Sequence, residues 1–201
     1  LLIVLGIYFA NPFTSILVAS LVWFGSPLSS TSGTALWSHN FAVVFALTGI
    51  IFSLRVTRGY GNSVMGCSIT ALSIFIAYLC RPTMALFAVF ALLFIFLHNR
   101  KKSFLIGLML VPMLLGFIFF SESEFNQILP DYYMPGRIGS EIDAHALEGV
   151  FFSPARGFFV YMPYVIVSIV ACIIGFKRSS IVEPWFVFGV LWSSAHLYVI
   201  T

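Results

Sequence analysis

The sequence predicts an all-α fold, a polytopic transmembrane helical bundle of about seven spans, and three observations carry that expectation. Sixty per cent of the 201 residues are hydrophobic (60%) and only 8% are charged, whereas a soluble domain carries about a quarter charged residues. Apolar stretches of roughly 15–20 residues recur along the whole length. These stretches are continuous rather than alternating, which argues against a spanning β-barrel.

Taken in order, a partial apolar run at about 1–10 is followed by spans at about 13–25, 40–54, 63–80, 83–97, 104–120, 158–176 and 184–200. Several are shorter than the ~20 residues of a perpendicular span, so their ends are expected to reach protein-lined cavities. The start has neither a basic leader nor a small-residue cleavage site, so no signal peptide is assigned. Leu1 is not an initiator methionine, and the last apolar run stops at Thr201. The chain reads as a fragment of a larger protein, a single transmembrane domain over 1–201 with external loops at about 26–39 and 121–157. Cys67, Cys80 and Cys172 lie within or at the ends of apolar runs, without metal or redox spacing, and read as small core residues.

Charge fixes the sides. If spans alternate in direction, Arg55, Arg58, Arg100, Lys101, Lys102, Lys177 and Arg178 fall on one side, seven of the ten basic residues. The positive-inside rule makes that side the cytoplasm of a plasma membrane. The opposite side receives SPLSSTSGTALWSHN, the Arg81-Pro82 corner and the loop from Ser121 to about Gly157. Six of the seven acidic residues, Glu122, Glu124, Asp131, Glu141, Asp143 and Glu148, lie in that last loop. A loop of this length is functional or disordered as a rule, and its Tyr132-Tyr133, prolines and apolar residues favour function over disorder.

Two isolated arginines stand at the outer boundary. Arg81 sits between apolar runs in AYLCRPTMALFAV, where Pro82 can open the following helix as its first residue. Arg156 sits in FFSPARGFF, between the break of Ser153-Pro154 and Gly157. Each is either a snorkelling anchor beside an aromatic belt or a fork for the phosphate of an anionic lipid headgroup. A divalent metal, Mg or Mn, is the cofactor that Glu141, His145 and Glu148 in EIDAHALEG would hold, since their spacing places them on one helix face. The competing reading of that triplet is the wet face of an amphipathic helix. His39 beside Trp37, and Tyr132 with Tyr133 near Asn126, suit sugar recognition through stacking and hydrogen bonding, or else structural and interfacial roles. His196 and Trp192 read as packed residues. No Walker loop, dinucleotide fingerprint, zinc spacing, nucleophile elbow, internal repeat or GxxxG face is present, and no nucleic-acid partner is expected.

Three segments, SPLSSTSGTALWSHNFAVVFALTGII, AYLCRPTMALFAVFALLFIFL and LEGVFFSPARGFFVYMPYVIV, resemble in order and spacing the bacterial and archaeal relatives of the dolichyl-phosphate-mannose protein mannosyltransferases. Those proteins belong to the GT-C class of membrane glycosyltransferases. The motifs stand here as Gly25-Ser26-Pro27, Leu36-Trp37-Ser38-His39, Arg81-Pro82-Thr83 and Phe152-Ser153-Pro154-Ala155-Arg156-Gly157 through Pro163. The resemblance covers about residues 20–175, and its last motif is the most specific.

The resemblance implies transfer of a sugar from a polyprenyl-phosphate carrier to a glycan, lipid or protein acceptor at the outer membrane face. It places the catalytic carboxylate in an external loop upstream of Leu1, so no general base is assigned within these residues. Arg81 and Arg156 then become the phosphate ligands, and Glu148 or Asp143 groups for acceptor hydroxyls or a metal. A lipid-linked sugar flippase or a structural membrane subunit are the alternatives. A flippase calls for ionisable groups at mid-membrane or repeated interrupted helices.

Overall fold

The computed structural model describes residues 1–25, 38–60, 63–134, 148–149, 151–153, 158–161, 166, 170 and 188–192. Every regular element among the described residues is helical, and none is a strand. The chain divides into two compact units, one formed by Leu1–Leu5 and Leu36–Arg137, the other by Gly6–Ala35 and Ile138–Thr201.

Two helices lie near the chain start, α1 over Leu2–Ile7 and α2 over Pro12–Phe24. Helix α2 begins where Asn11 accepts the Thr14 amide at 2.9 Å and Pro12 fills the first turn, an arrangement that satisfies one free donor and dispenses with another. Ser15 donates to the Asn11 carbonyl at 2.8 Å. A Cβ on Gly6 would stand 2.9 Å from the Ser15 Cβ and 3.2 Å from its Cα, so only glycine permits that approach. In the same unit Phe159 stacks on Phe151 with centroids 5.2 Å apart and lies tilted against Phe152 at 5.5 Å. It belongs to the short helix α7, Phe158–Tyr161.

The unit of Leu1–Leu5 and Leu36–Arg137 carries, among the described residues, α3 over Ser38–Arg58, α4 over Ser63–Cys80, α5 over Ala85–His98 and α6 over Arg100–Phe125. Their limits follow the apolar runs, with two extensions. Helix α3 runs from Ser38, inside the polar segment read as loop, to Arg58, past the end of its apolar run near 54, and α6 runs from Arg100 to Phe125, past both ends of its apolar run. Hydropathy measures apolarity rather than helicity, and polar residues are well suited to first and last turns. Asn99 starts α6 by accepting the Lys102 amide at 3.1 Å. Asn126 ends it in the left-handed conformation, φ 52, returning its amide to the Glu122 carbonyl.

Helix α3 packs chiefly on α4, while α6 packs on both α4 and α5. The buried face of α3 includes Ala42, Ala46, Gly49 and Ser53, and that of α4 includes Cys67, Thr70, Ala71, Ile74 and Ala77. Such small residues let helix backbones approach closely, and van der Waals contact rather than the hydrophobic effect then drives association in lipid. Gly49 admits the Phe87 ring of α5 to within 3.1 Å of where a Cβ would stand, and Gly66 admits the Val56 methyl to within 2.9 Å. Buried hydroxyls find acceptors nearby: Thr70 on the Gly66 carbonyl at 2.8 Å, Thr57 on that of Ser53 at 2.9 Å and Ser103 across to that of Leu92 at 3.0 Å.

Among the described residues two helices, α3 and α6, are long and apolar enough to cross a membrane. At 26 residues, α6 is about 39 Å long, against ~30 Å of hydrocarbon. Only 17% of its apolar window is buried within the chain. Phe104, Leu108, Val111, Leu115 and Phe119 form an exposed stripe at helical spacing, with Phe104 and Phe119 each 75% exposed. A helix in the core of a soluble domain would hide that stripe. Pro112 sits on the same exposed surface and cannot donate to the Leu108 carbonyl, a loss that membrane helices tolerate.

Candidate functional site

Cross-helix bonds sort the ends of the α3–α6 unit. At one end Lys102 Nζ donates to the Val56 carbonyl at 2.7 Å, bringing the start of α6 against the last turns of α3. Arg55, Arg58, Arg100 and Lys101 lie exposed in the same terminal turns, and Arg55 and Arg100 stand over the Phe52 and Phe96 rings at 5.3 and 5.4 Å. The acidic residues Glu122, Glu124 and Asp131 lie at or beyond the far end of α6. The far ends of α3 and α4 meet there too, and they bring together residues widely separated in sequence.

Arg81 is built by the way α4 stops. Its amide closes the last turn on the Ala77 carbonyl at 3.0 Å. Its backbone then turns extended, φ −150 and ψ 122, because Pro82 crowds the helical conformation of the preceding residue. A 3-10 turn over Pro82–Met84 leads into α5. The guanidinium turns toward the bundle: Nη2 lies 2.6 Å from Nε2 of His39, in the first turn of α3. A guanidinium can only donate, so Nε2 accepts and the imidazole is neutral with its proton on Nδ1. Ser38 Oγ lies 3.4 Å from that Nδ1.

Arg81 Nε is buried and has no hydrogen-bond partner among the described residues, and Thr83 Oγ1 is in the same condition. Among those residues no carboxylate pairs with Arg81; an imidazole stands in its place. A half-buried cation with a free donor and no counter-ion among the described residues suits an anion.

Beside this corner lies an aromatic group. Because Arg81-Pro82 ends α4, the Leu79 carbonyl is released from the helical ladder, and the Tyr133 hydroxyl donates to it at 2.7 Å. The Tyr133 ring lies 5.4 Å from Tyr78 and 5.1 Å from Phe117, with Tyr132 edge-on at 5.6 Å. Since Phe117 lies level with Tyr78 at 6.2 Å, the eight further residues of α6 project about 12 Å beyond that level. The chain then turns at Asn126 and comes back, and Ser121 secures the turn by donating to the Gln127 carbonyl at 2.7 Å. A second 3-10 turn, Asp131–Tyr133, delivers the two tyrosines. Tyr132 stays 49% exposed. Burial, with smaller contributions from Tyr78, Tyr132 and Cys80, pushes the Tyr133 phenol above its ordinary value of 10.0.

Of the sequence-predicted site residues, His39, Arg81, Tyr132 and Tyr133 are therefore gathered at one end of the unit. Trp37, Glu141, His145 and Arg156 lie outside the described residues. Glu148 is described and exposed, and no metal-ligating cluster occurs among the described residues. Sequence reasoning did not single out Tyr78, and it named Thr83 only within the Arg81-Pro82-Thr83 motif, without a role of its own. The proline between Arg81 and Thr83 was a usable signal for Thr83, because it ends the helix that would otherwise give the threonine an acceptor.

Comparison with known proteins finds no matching family model, no matching curated protein and no matching solved structure.

Proposed function

We propose that this chain is part of a polytopic glycosyltransferase of the GT-C class, with about seven spans in a prokaryotic plasma membrane. It takes a sugar from a polyprenyl-phosphate carrier at the outer face and passes it to a glycan, lipid or protein acceptor. The basic end of the α3–α6 unit faces the cytoplasm by the positive-inside rule. The end carrying Arg81 faces outward.

One observation carries the reading: the Arg81 guanidinium is turned inward onto neutral His39, with Nε buried, unpartnered among the described residues and unaccompanied by a carboxylate. A snorkelling arginine would extend its fork into the headgroups. Displacement at the anomeric carbon expels the carrier phosphate, so negative charge grows on phosphate oxygens. A guanidinium already fixed in place stabilises that charge without reorganising, an effect worth roughly 2.7–4 kcal/mol for one well-placed donor. The exposed face of Tyr132, backed by Tyr133, Tyr78 and Phe117, supports the sugar half of the reading, since aromatic faces stack on pyranose rings. Arg156 is proposed as a phosphate ligand on the motif resemblance alone.

The test is transfer. Membranes containing the protein, given a radiolabelled polyprenyl-phosphate hexose, should attach label to an endogenous acceptor, and Arg81→Ala at equal abundance should reduce the rate by about 100-fold. Label that crosses the bilayer without forming a new glycosidic bond would replace this reading with a flippase.

A further inference from the structure

We infer that Thr83 is a second ligand for the anion held by Arg81, so that one phosphate oxygen accepts from both the Arg81 Nε–H and the Thr83 hydroxyl. The inference rests on the phosphate-binding reading and gives a role to Thr83, which the sequence analysis names only as the last residue of the Arg81-Pro82-Thr83 motif.

The Thr83 hydroxyl is buried and has no hydrogen-bond partner among the described residues. That sets it apart from its neighbours. Thr57, Thr70, Ser103 and Ser121 each donate to a backbone carbonyl. A threonine near a helix start commonly caps it, yet neither the Pro82–Met84 turn nor α5 has a side-chain cap bond. The carbonyl four residues back, which a helical threonine would use, belongs to Leu79. The extended Arg81 removes it from helical register, and the Tyr133 hydroxyl occupies it. The Thr83 hydroxyl thus makes neither a helix-cap bond nor a bond to the carbonyl four residues back. Ser53 Oγ is also buried without a described partner, but it lies within α3, where the neighbouring charge, Arg55, is on the exposed face.

Thr83 lies two residues from Arg81, which holds their backbones within about 7 Å. The two buried donors of this corner are therefore on one short stretch of chain, and one of them belongs to a cation. An anionic oxygen is the partner that satisfies both, because it accepts more than one hydrogen bond and offsets the guanidinium charge. The chemical class is a phosphate mono- or diester, on a lipid or free in solution.

Equilibrium binding to the protein in nanodiscs tests this, with polyprenyl phosphate as one probe and inorganic phosphate as the other. Thr83→Val, which keeps the shape and removes the donor, is expected to weaken binding about tenfold, and Thr83→Ser to restore it. A loss seen with polyprenyl phosphate alone assigns a lipid-borne ligand; a loss seen with inorganic phosphate assigns the free anion. Arg81→Ala serves as the reference. If Arg81→Ala weakens binding while Thr83→Val binds as wild type, the threonine inference is overturned and the arginine reading stands. If Arg81→Ala also binds as wild type, the underlying reading falls with it.

Discussion

Arg81 and His39, 42 residues apart, meet through Nη2 and Nε2 at 2.6 Å, and this contact joins the end of α4 to the beginning of α3. A hydrogen bond with a charged partner contributes about 1.5–3 kcal/mol. A double-mutant cycle of His39→Ala and Arg81→Ala in unfolding experiments should therefore give a coupling energy of at least 1 kcal/mol. Additive single effects would show that the two side chains do not interact in the folded protein.

Tyr133→Phe leaves the Leu79 carbonyl without its hydroxyl donor, at a cost of about 1–3 kcal/mol. The matching pH dependence follows from the raised phenol. The folded chain holds this proton more tightly than the unfolded chain, so the stabilisation is complete below pH 10.0 and is lost as pH rises through the higher folded value. Spectroscopic titration of phenolate absorbance should show one late-ionising group fewer in Tyr133→Phe than in the wild type.

At the α3–α4 crossing, Gly66→Ala forces a Cβ to 2.9 Å from the Val56 methyl, and the stiff β-branched side chain cannot swing aside. Destabilisation of about 1–3 kcal/mol is expected, and Val56→Ala should relieve much of it in the double variant. Gly107→Ala is the control: no atom lies within 4 Å of its new Cβ, so it should be neutral or slightly stabilising.

The exposed stripe of α6 predicts its surroundings. Leu108→Lys places a charge midway along a face that is 59% exposed at that residue. In a membrane this costs about 2.5–3.5 kcal/mol, and the variant should insert poorly in a glycosylation-reporter assay. Normal insertion and normal yield would mean that this face does not meet lipid.

Much of the helix framework was legible because continuous apolar runs must bury or meet lipid, and their limits come close to those of α2, α4 and α5. The Arg81-Pro82 corner was legible for a local reason, since proline constrains the residue before it. The partners of that corner were not. Nothing in the sequence near His39 indicates that it faces Arg81, and Tyr133 reaches Leu79 only because the chain reverses after Asn126. The small-residue face of Ala42, Ala46, Gly49 and Ser53 was missed because it carries no GxxxG pattern, and its meaning depends on which helix lies opposite.

The most direct test of the central claim is the affinity of the nanodisc-embedded protein for a polyprenyl-phosphate sugar, compared between wild type and Arg81→Ala by direct binding of labelled carrier. The account predicts a loss of about 100-fold in the variant, with helix content unchanged by circular dichroism. Equal affinities would contradict it and leave Arg81 a structural residue that ties α4 to His39.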